Sequence, residues 1–515
     1  MKKIGRMIIA GFPSPAVDGQ AKRLVRDYGV GNFVLFTRNL LSPGQAAELC
    51  DGLHSLVAED KDEFAPFIGV DQEGGPVSRI CSGASLFPGA MAVAAGGTDS
   101  AYGIGLRCGR ILHAMGINTN FAPVLDVNIS PMNPIIGTRS FSDDPALVAK
   151  LGADMLRGLK NAGVLALVKH FPGHGNVSDD SHLGIPENNV PREILERTEW
   201  MPFRKAFEEG ADGLMTAHVR YTDVDDQRPA TLSPAIMHDL LRVRMGFSGL
   251  AFTDCMEMDA IKRCFGLRKG AVMAVEAGCD LLTFSHTIEA VDEAAHGVYD
   301  AVKSGRIPES RLDESLTRIA AVKNKYGLVS RQHIDAAYAE KLCADRQWQK
   351  TNADISEASI TLLSTIGVGP DVIKADKKVF FSPESAALTR VEDNRHTKLC
   401  FSLSCAESLG GTGVVTPLNG IDQGVEAMLK KDFDVAVLGL YNARFRPGQV
   451  QLLRLLEASG KPLIVVLLGA PYDAALVRRA NAVIAAYEYT PLSVAAVIKA
   501  LRDGRFPGRS PVRLQ

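Results

Sequence analysis

The feature that most constrains this chain is an alternation. Short apolar, β-branched runs recur at residues 7–12, 32–36, 67–71, 119–123, 164–171, 213–219, 249–254 and 280–284, with helical patterns between most of them, such as 43–57, 145–162 and 192–209. Strands that alternate with helices build parallel sheets, because each crossover helix returns the chain to the same edge direction. Eight such strands over the first 330 residues predict an α/β fold of the (β/α)8 TIM-like barrel type, irregular at its first units. A doubly wound open sheet is the alternative. A helix around 311–326 closes this unit, and a polar, Gln- and Ala-rich helical linker is expected over 331–352. A second α/β layered sandwich domain is then expected over 353–515, with strands near 360–364, 378–381, 434–440, 462–468 and 482–487 and helices near 449–458 and 491–501.

Composition narrows the class of function. Lys plus Arg total 57 and Asp plus Glu total 59, a net charge of −2 with no basic cluster. That balance argues against nucleic acid as a partner. The nine cysteines are an odd number and contain no CxxC pair, which fits neither a disulfide framework nor a zinc cluster. Free thiols suit a reducing compartment. The apolar run at the N-terminus is too short for a signal peptide, and no stretch reaches membrane-spanning length. The expectation is a cytoplasmic protein without a membrane partner. No GxGxxG fingerprint, P-loop or metal-spaced His pair is present, so no cofactor and no metal are implied.

In a parallel barrel the chemistry collects at the C-terminal ends of the strands. Asp71 ends the third run, Lys169 and His170 the fifth, His218 the sixth and Asp254 the seventh, while Arg139 lies in the long loop after the fourth. Strands must end in something polar, so some of this is expected from any barrel. The fifth run opens into Pro172-Gly173-His174-Gly175 and continues through Asp179 and Asp180 to Ser181 and His182. An acidic residue two positions from a histidine can orient the imidazole and stabilise its cation, which makes His182 a candidate general acid. Taken alone, Asp-Ser-His also reads as a solvated polar loop. Asp254, taken alone, also reads as a helix N-cap after a strand, and His170 as a hydrogen-bonded core histidine.

VKHFPGHGNVSDDSH, from Val168 to His182, resembles glycoside hydrolase family 3 in its β-N-acetylglucosaminidase branch, whose signature is the Asp-x-His pair on that loop. GVDQEGG resembles the family's first sugar-binding segment. FAPVLDVN, GTRSF, MTAHV, RPATLS and AFTDCMEMDA resemble its further segments, and the match covers the first 330 residues. The second half resembles the family's C-terminal α/β domain more loosely, through AYEYTPLSVAAVIKALRDGRFPGRSPV.

The resemblance implies a retaining exo-β-N-acetylglucosaminidase. Asp254 would be the nucleophile, His182 the acid/base and Asp180 the residue that holds it, while Asp71, Arg139, Lys169, His170, His174 and His218 would bind or surround the sugar. Such an enzyme needs a carboxylate that is ionised before it attacks the anomeric carbon, and nearby cations serve that end. Cys255, beside the nucleophile, departs from the acidic or small residue expected there. Glu73, Asp179 and Glu257 compete for the acid role. Asp126 reads as a structural strand-end carboxylate. Within the family a β-glucosidase or a phosphorylase that releases N-acetylglucosamine 1-phosphate stays open. Outside it stand a Schiff-base enzyme using Lys169 and an inactive sugar-binding protein. Expected partners are a small oligosaccharide or glycopeptide, from cell-wall muropeptides or chitooligosaccharides, with the chain a monomer or homodimer.

Overall fold

The computed structural model describes residues 1–60, 64–80, 82–97, 100–177, 184–330, 333–389, 391–392 and 398–514. Eight strands close into an all-parallel barrel in simple sequence order. They are β1 (Ile8–Ala10), β2 (Asn32–Leu35), β3 (Phe67–Val70), β4 (Thr119–Asn120), β5 (Leu165–Phe171), β6 (Gly213–Thr216), β7 (Leu250–Cys255) and β8 (Leu281–Phe284), and β1 pairs with β8 to close the ring. Each falls within or beside an apolar run read from the sequence. β4 is only two residues long; Pro123, three residues on, has no N–H to extend the ladder.

The barrel's interior is filled, not hollow. Phe67, Phe121 and Phe252 are buried there, with the Phe67 and Phe121 rings 6.3 and 6.4 Å from that of Phe252. Gly69 is required beside them: a Cβ there would lie 2.7 Å from the Phe121 ring. At the opposite end from the strand C-termini, buried Asp280 accepts from Arg242 and Arg318 and from Ser315, which ties the helix Glu309–Lys325 to the barrel floor.

Two ladder irregularities matter for the site. Register shifts between Val168 and Phe171 in β5, and between Phe252 and Cys255 in β7. Bulges of this kind re-aim side chains at barrel rims. The re-aimed residues are Lys169, His170 and Asp254.

Two helices, Ala336–Cys343 and Arg346–Ser359, follow the barrel. The second runs past residue 352, capped at its start by Asp345, so helix continues where the sequence suggested the second domain to begin. A six-stranded sheet then forms from β9 (Thr361–Thr365), β10 (Lys378–Ser382), β11 (Thr412–Val415), β12 (Val435–Leu440), β13 (Leu463–Leu467) and β14 (Ala482–Ala485). Its order is β9-β14-β13-β12-β10-β11, with β9 antiparallel to β14 and the other pairs parallel. Apolar clusters lie on both faces of this sheet, as expected for a layered sandwich. A small interdomain core joins Met91, Ala92 and Ala95 to Ala485, Tyr487 and Val512. Among the described residues no helix is long and apolar enough to cross a membrane.

Candidate active site

The C-terminal mouth of the barrel gathers Asp71, Lys169, His170, His218 and Asp254 from four strand ends, together with Arg139 from the loop after β4. Around them the charges pair in an ordered way. Arg139 donates to both oxygens of Glu73, Nε to Oε2 at 2.9 Å and Nη2 to Oε1 at 2.8 Å. Lys169 Nζ lies 2.6 Å from Glu73 Oε1 and 2.7 Å from Asp71 Oδ1. Arg139 and Lys169 are 5% and 1% exposed, so these pairs are shielded from water. Burial works against each charge, but the partners outweigh it. Glu73 is held far below the usual carboxylate range by Arg139 and Lys169, and Lys169 is raised by Asp71 and Glu73. A lysine held protonated in this way is no Schiff-base nucleophile.

Glu73 is thus the hub of the cation set, a role the sequence reading did not give it. It sits one residue before Gly74 and Gly75, both at positive φ, +94° and +59°. Arg139 spends its donors on Glu73 and on the Ile135 carbonyl, and its Nη2 lies 3.5 Å from His170 Nε2. A crevice beside Arg139 runs between the barrel loop around Asn133 and Ile135 and the second domain's Glu392, Asn442 and Arg444.

Asp126 also does more than end a strand. Its Oδ2 lies 2.7 Å from His170 Nδ1, and its Oδ1 accepts from the backbone N–H groups of His170 and His174 at 3.2 and 2.7 Å. A carboxylate at Nδ1 fixes a proton there and orients the ring so that Nε2 faces Arg139. Burial opposes the charge on Asp126, but His170 and His174 hold its carboxyl below the ordinary value. The His174 ring stands edge-on to His170, with centroids 5.9 Å apart. Burial pushes the His174 imidazole down to about 4, so it is neutral at working pH.

His218 touches the end of β7. Its Nε2 lies 3.0 Å from the Cys255 carbonyl, which can only accept, so Nε2 carries the proton. Nδ1 lies 2.8 Å from Thr231 Oγ1, which also lies 3.0 Å from the Ala217 carbonyl. Burial lowers its pKa, so His218 pins the end of β7 as a neutral ring.

Asp254 differs from the other carboxylates. Glu73 and Asp71 are paired with cations and Asp126 with His170. Glu257 accepts from the N–H groups of Ser285, His286 and Thr287 ahead of the helix Ile288–Lys303. Among the described residues Asp254 makes no ion pair. Its hydrogen bond comes from the Cys255 N–H, at 2.6 Å. Burial raises the cost of charging it, yet His218, His170, that N–H and Lys169 together keep it below the usual carboxylate value. The adjacent Cys255 thiol is pushed up to about 12 by burial and stays protonated.

Asp179, Asp180 and His182 lie outside the described residues. The loop that leads to them is anchored as far as Gly175: Tyr221 donates to the Gly173 carbonyl, and Asn133 Nδ2 donates to those of His174 and Gly175 at 2.8 and 3.3 Å. Among the described residues no group of three or more His, Cys, Asp or Glu side chains is placed to hold a metal ion.

The glycosyl hydrolase family 3 N-terminal domain matches residues 1–322. The chain belongs to glycosyl hydrolase family 3. It is accordingly a glycoside hydrolase, and its barrel with a following α/β domain is the architecture of that family. A glycoside hydrolase family 3 β-N-acetylglucosaminidase from Paenibacillus sp. FPU-7 superposes with a TM-score of 0.93 at 35% identity, over 100% of this chain and 98% of that one. Beta-hexosaminidase A of Pseudoalteromonas piscicida is 29% identical over 515 residues, 91% of this chain and 85% of the relative. The beta-hexosaminidase of Thiobacillus denitrificans is 36% identical over 280 residues, 53% of this chain and 76% of its own length.

Proposed function

We propose that this family 3 hydrolase is a retaining exo-β-N-acetylglucosaminidase that removes terminal β-linked N-acetylglucosamine through a glycosyl-aspartate intermediate. The observation that carries this reading is the standing of Asp254: ionised, at the bulged end of β7, and free of a cation while its neighbouring carboxylates are engaged. A nucleophile must be charged yet not bound up, so that its lone pair can reach the anomeric carbon. Asp254 attacks that carbon and the leaving oxygen takes a proton. Water later breaks the acyl-glycosyl bond with the carboxylate as leaving group. The proton carrier in this reading is His182, oriented by Asp180. Asp71 and the Glu73–Arg139–Lys169 set face the sugar hydroxyls, and the Asp126–His170 pair holds one wall of the site. The names of the Paenibacillus and Pseudoalteromonas relatives support the acetamido sugar. Muropeptide fragments and chitooligosaccharides are the natural substrates we favour.

The test compares nitrophenyl β-N-acetylglucosaminide with nitrophenyl β-glucoside, following the anomer of the first product by NMR. Strong preference for the acetamido sugar with β product is expected. Preference for glucose, or an α product, would overturn the reading.

A further inference from the structure

Glu73 is anchored on one side by the barrel itself. Its neighbour Gln72 exchanges hydrogen bonds with Asn120 and receives the N–H groups of Arg79 and Ile80 on its side-chain oxygen, at 2.8 and 3.1 Å. The other side is anchored differently. Gly75 N–H donates to the Phe87 carbonyl at 2.8 Å, so the turn after Glu73 rests on residues 87–89. Those residues are held from the second domain. Glu488 Oε2 accepts from the Gly89 N–H at 2.6 Å, across 399 residues of sequence. The same oxygen would lie 2.7 Å from a Cβ on Gly75, so carboxylate and turn are in direct contact.

Glu488 is built to stay where it is. It is 2% exposed, and its Oε1 accepts from Thr490 Oγ1 at 2.9 Å. Its backbone carbonyl takes the Ser493 hydroxyl at 2.7 Å, at the start of the helix Pro491–Asp503. The preceding residue, Tyr487, lies fully buried at φ +65° with its hydroxyl bonded to Thr361. An aromatic residue in the left-handed region is an uncommon conformation that the surroundings must enforce. Here it turns the chain after β14 so that Glu488 enters the barrel side of the interface. A further grip on the hairpin that carries Glu73, Gln72–Gly74 paired with Val77–Ser78, comes from Arg79, whose Nη2 donates to the carbonyl of Val391 in the second domain.

We propose that Glu488 is a positioning residue for the barrel's sugar site: from the second domain it fixes the Gly75–Gly89 contact and so sets where Glu73 stands between Arg139 and Lys169. The second domain then serves the site by holding its hub. The effect on sugar binding rests on the N-acetylglucosaminidase reading; the effect on the hairpin does not.

The experiment uses the full-length protein, as wild type, Glu488→Ala and Glu488→Gln. Hydrogen exchange is followed by mass spectrometry on peptides covering residues 72–89, alongside kcat and KM for nitrophenyl β-N-acetylglucosaminide. Gln keeps an acceptor for the Gly89 N–H; Ala does not. The expected result is faster exchange over 72–89 in Glu488→Ala, with β13 peptides unchanged. A KM rise on the order of tenfold, larger than the fall in kcat, should accompany it, because a displaced binding set weakens ground state and transition state alike. Glu488→Gln should restore both. Unchanged exchange over 72–89 in folded Glu488→Ala would overturn the proposal, as would equal disturbance of β13 or failure of Gln to rescue. If Glu488→Ala does not fold, Glu488→Asp, which shortens the reach, takes its place under the same criteria. A wild type inactive on this substrate would refute the functional reading, and the exchange data would still decide the role of Glu488.

Discussion

Replacing Glu73 by Gln removes one negative charge from a cluster that holds two buried cations. Lys169 keeps Asp71 at 2.7 Å, but Arg139 is left with the Ile135 carbonyl and a neutral amide. Removing one partner from a buried pair typically costs about 3–5 kcal/mol, because the surviving charge is desolvated without compensation. Gln still offers one acceptor oxygen, so the low end applies, about 3 kcal/mol. The ionised form of Glu73 is favoured by folding, so its contribution is present above the unfolded carboxylate value and lost only as pH falls through a much lower one. The gap between wild type and variant should therefore be flat from about pH 6 to pH 9. The assay is urea unfolding followed by tryptophan fluorescence. Trp200 is fully buried in the barrel, whereas Trp348 sits in the connecting helix, so a Trp348→Phe background isolates the barrel transition. Adding Arg139→Gln to Glu73→Gln should recover more than half of the lost stability without recovering sugar binding. A loss below about 1 kcal/mol, the range of exposed pairs, or no recovery in the double variant, would refute the reasoning.

Other outcomes follow from the same geometry. Asp254→Asn should lower kcat on the order of 10⁴-fold or more with unchanged circular dichroism; retained turnover would move the nucleophile elsewhere. His182→Ala should slow substrates with poor leaving groups far more than nitrophenyl glycosides, and equal losses on both would argue against acid catalysis there. Glu488, pushed up to about 7 by burial and making no ion pair among the described residues, favours its protonated form in the fold. Its stabilisation is present below the unfolded value and lost as pH rises through about 7. Glu488→Gln should thus match wild type in stability near pH 4.5 and exceed it by about 3 kcal/mol at pH 8; a gap independent of pH would refute this.

Much of the barrel was legible because its signals are local. Apolar runs that end in Asp71, Lys169-His170, His218 and Asp254 show both strand and strand end within a few residues. What was not legible is who pairs with whom. Glu73 and Arg139 are 66 residues apart, and Asp71 and Lys169 are 98. No periodicity links them, so Glu73 read as a competitor for the acid role and Asp126 as a plain strand-end carboxylate. Asp126 in fact lies six residues past the end of β4, beyond where a strand-end rule looks. β11 escaped for another reason: Thr412-Gly413-Val414-Val415 is a short edge strand, exposed at both ends, with too little apolar patterning to stand out.

The three phenyl rings that fill the barrel interior also decide traffic. A barrel stoppered by Phe67, Phe121 and Phe252 has no back door. Whatever enters between the strand ends must leave by the same opening, so the spent sugar and the next substrate compete for one doorway. Clearing the released sugar from that mouth is therefore a step that every turnover must include.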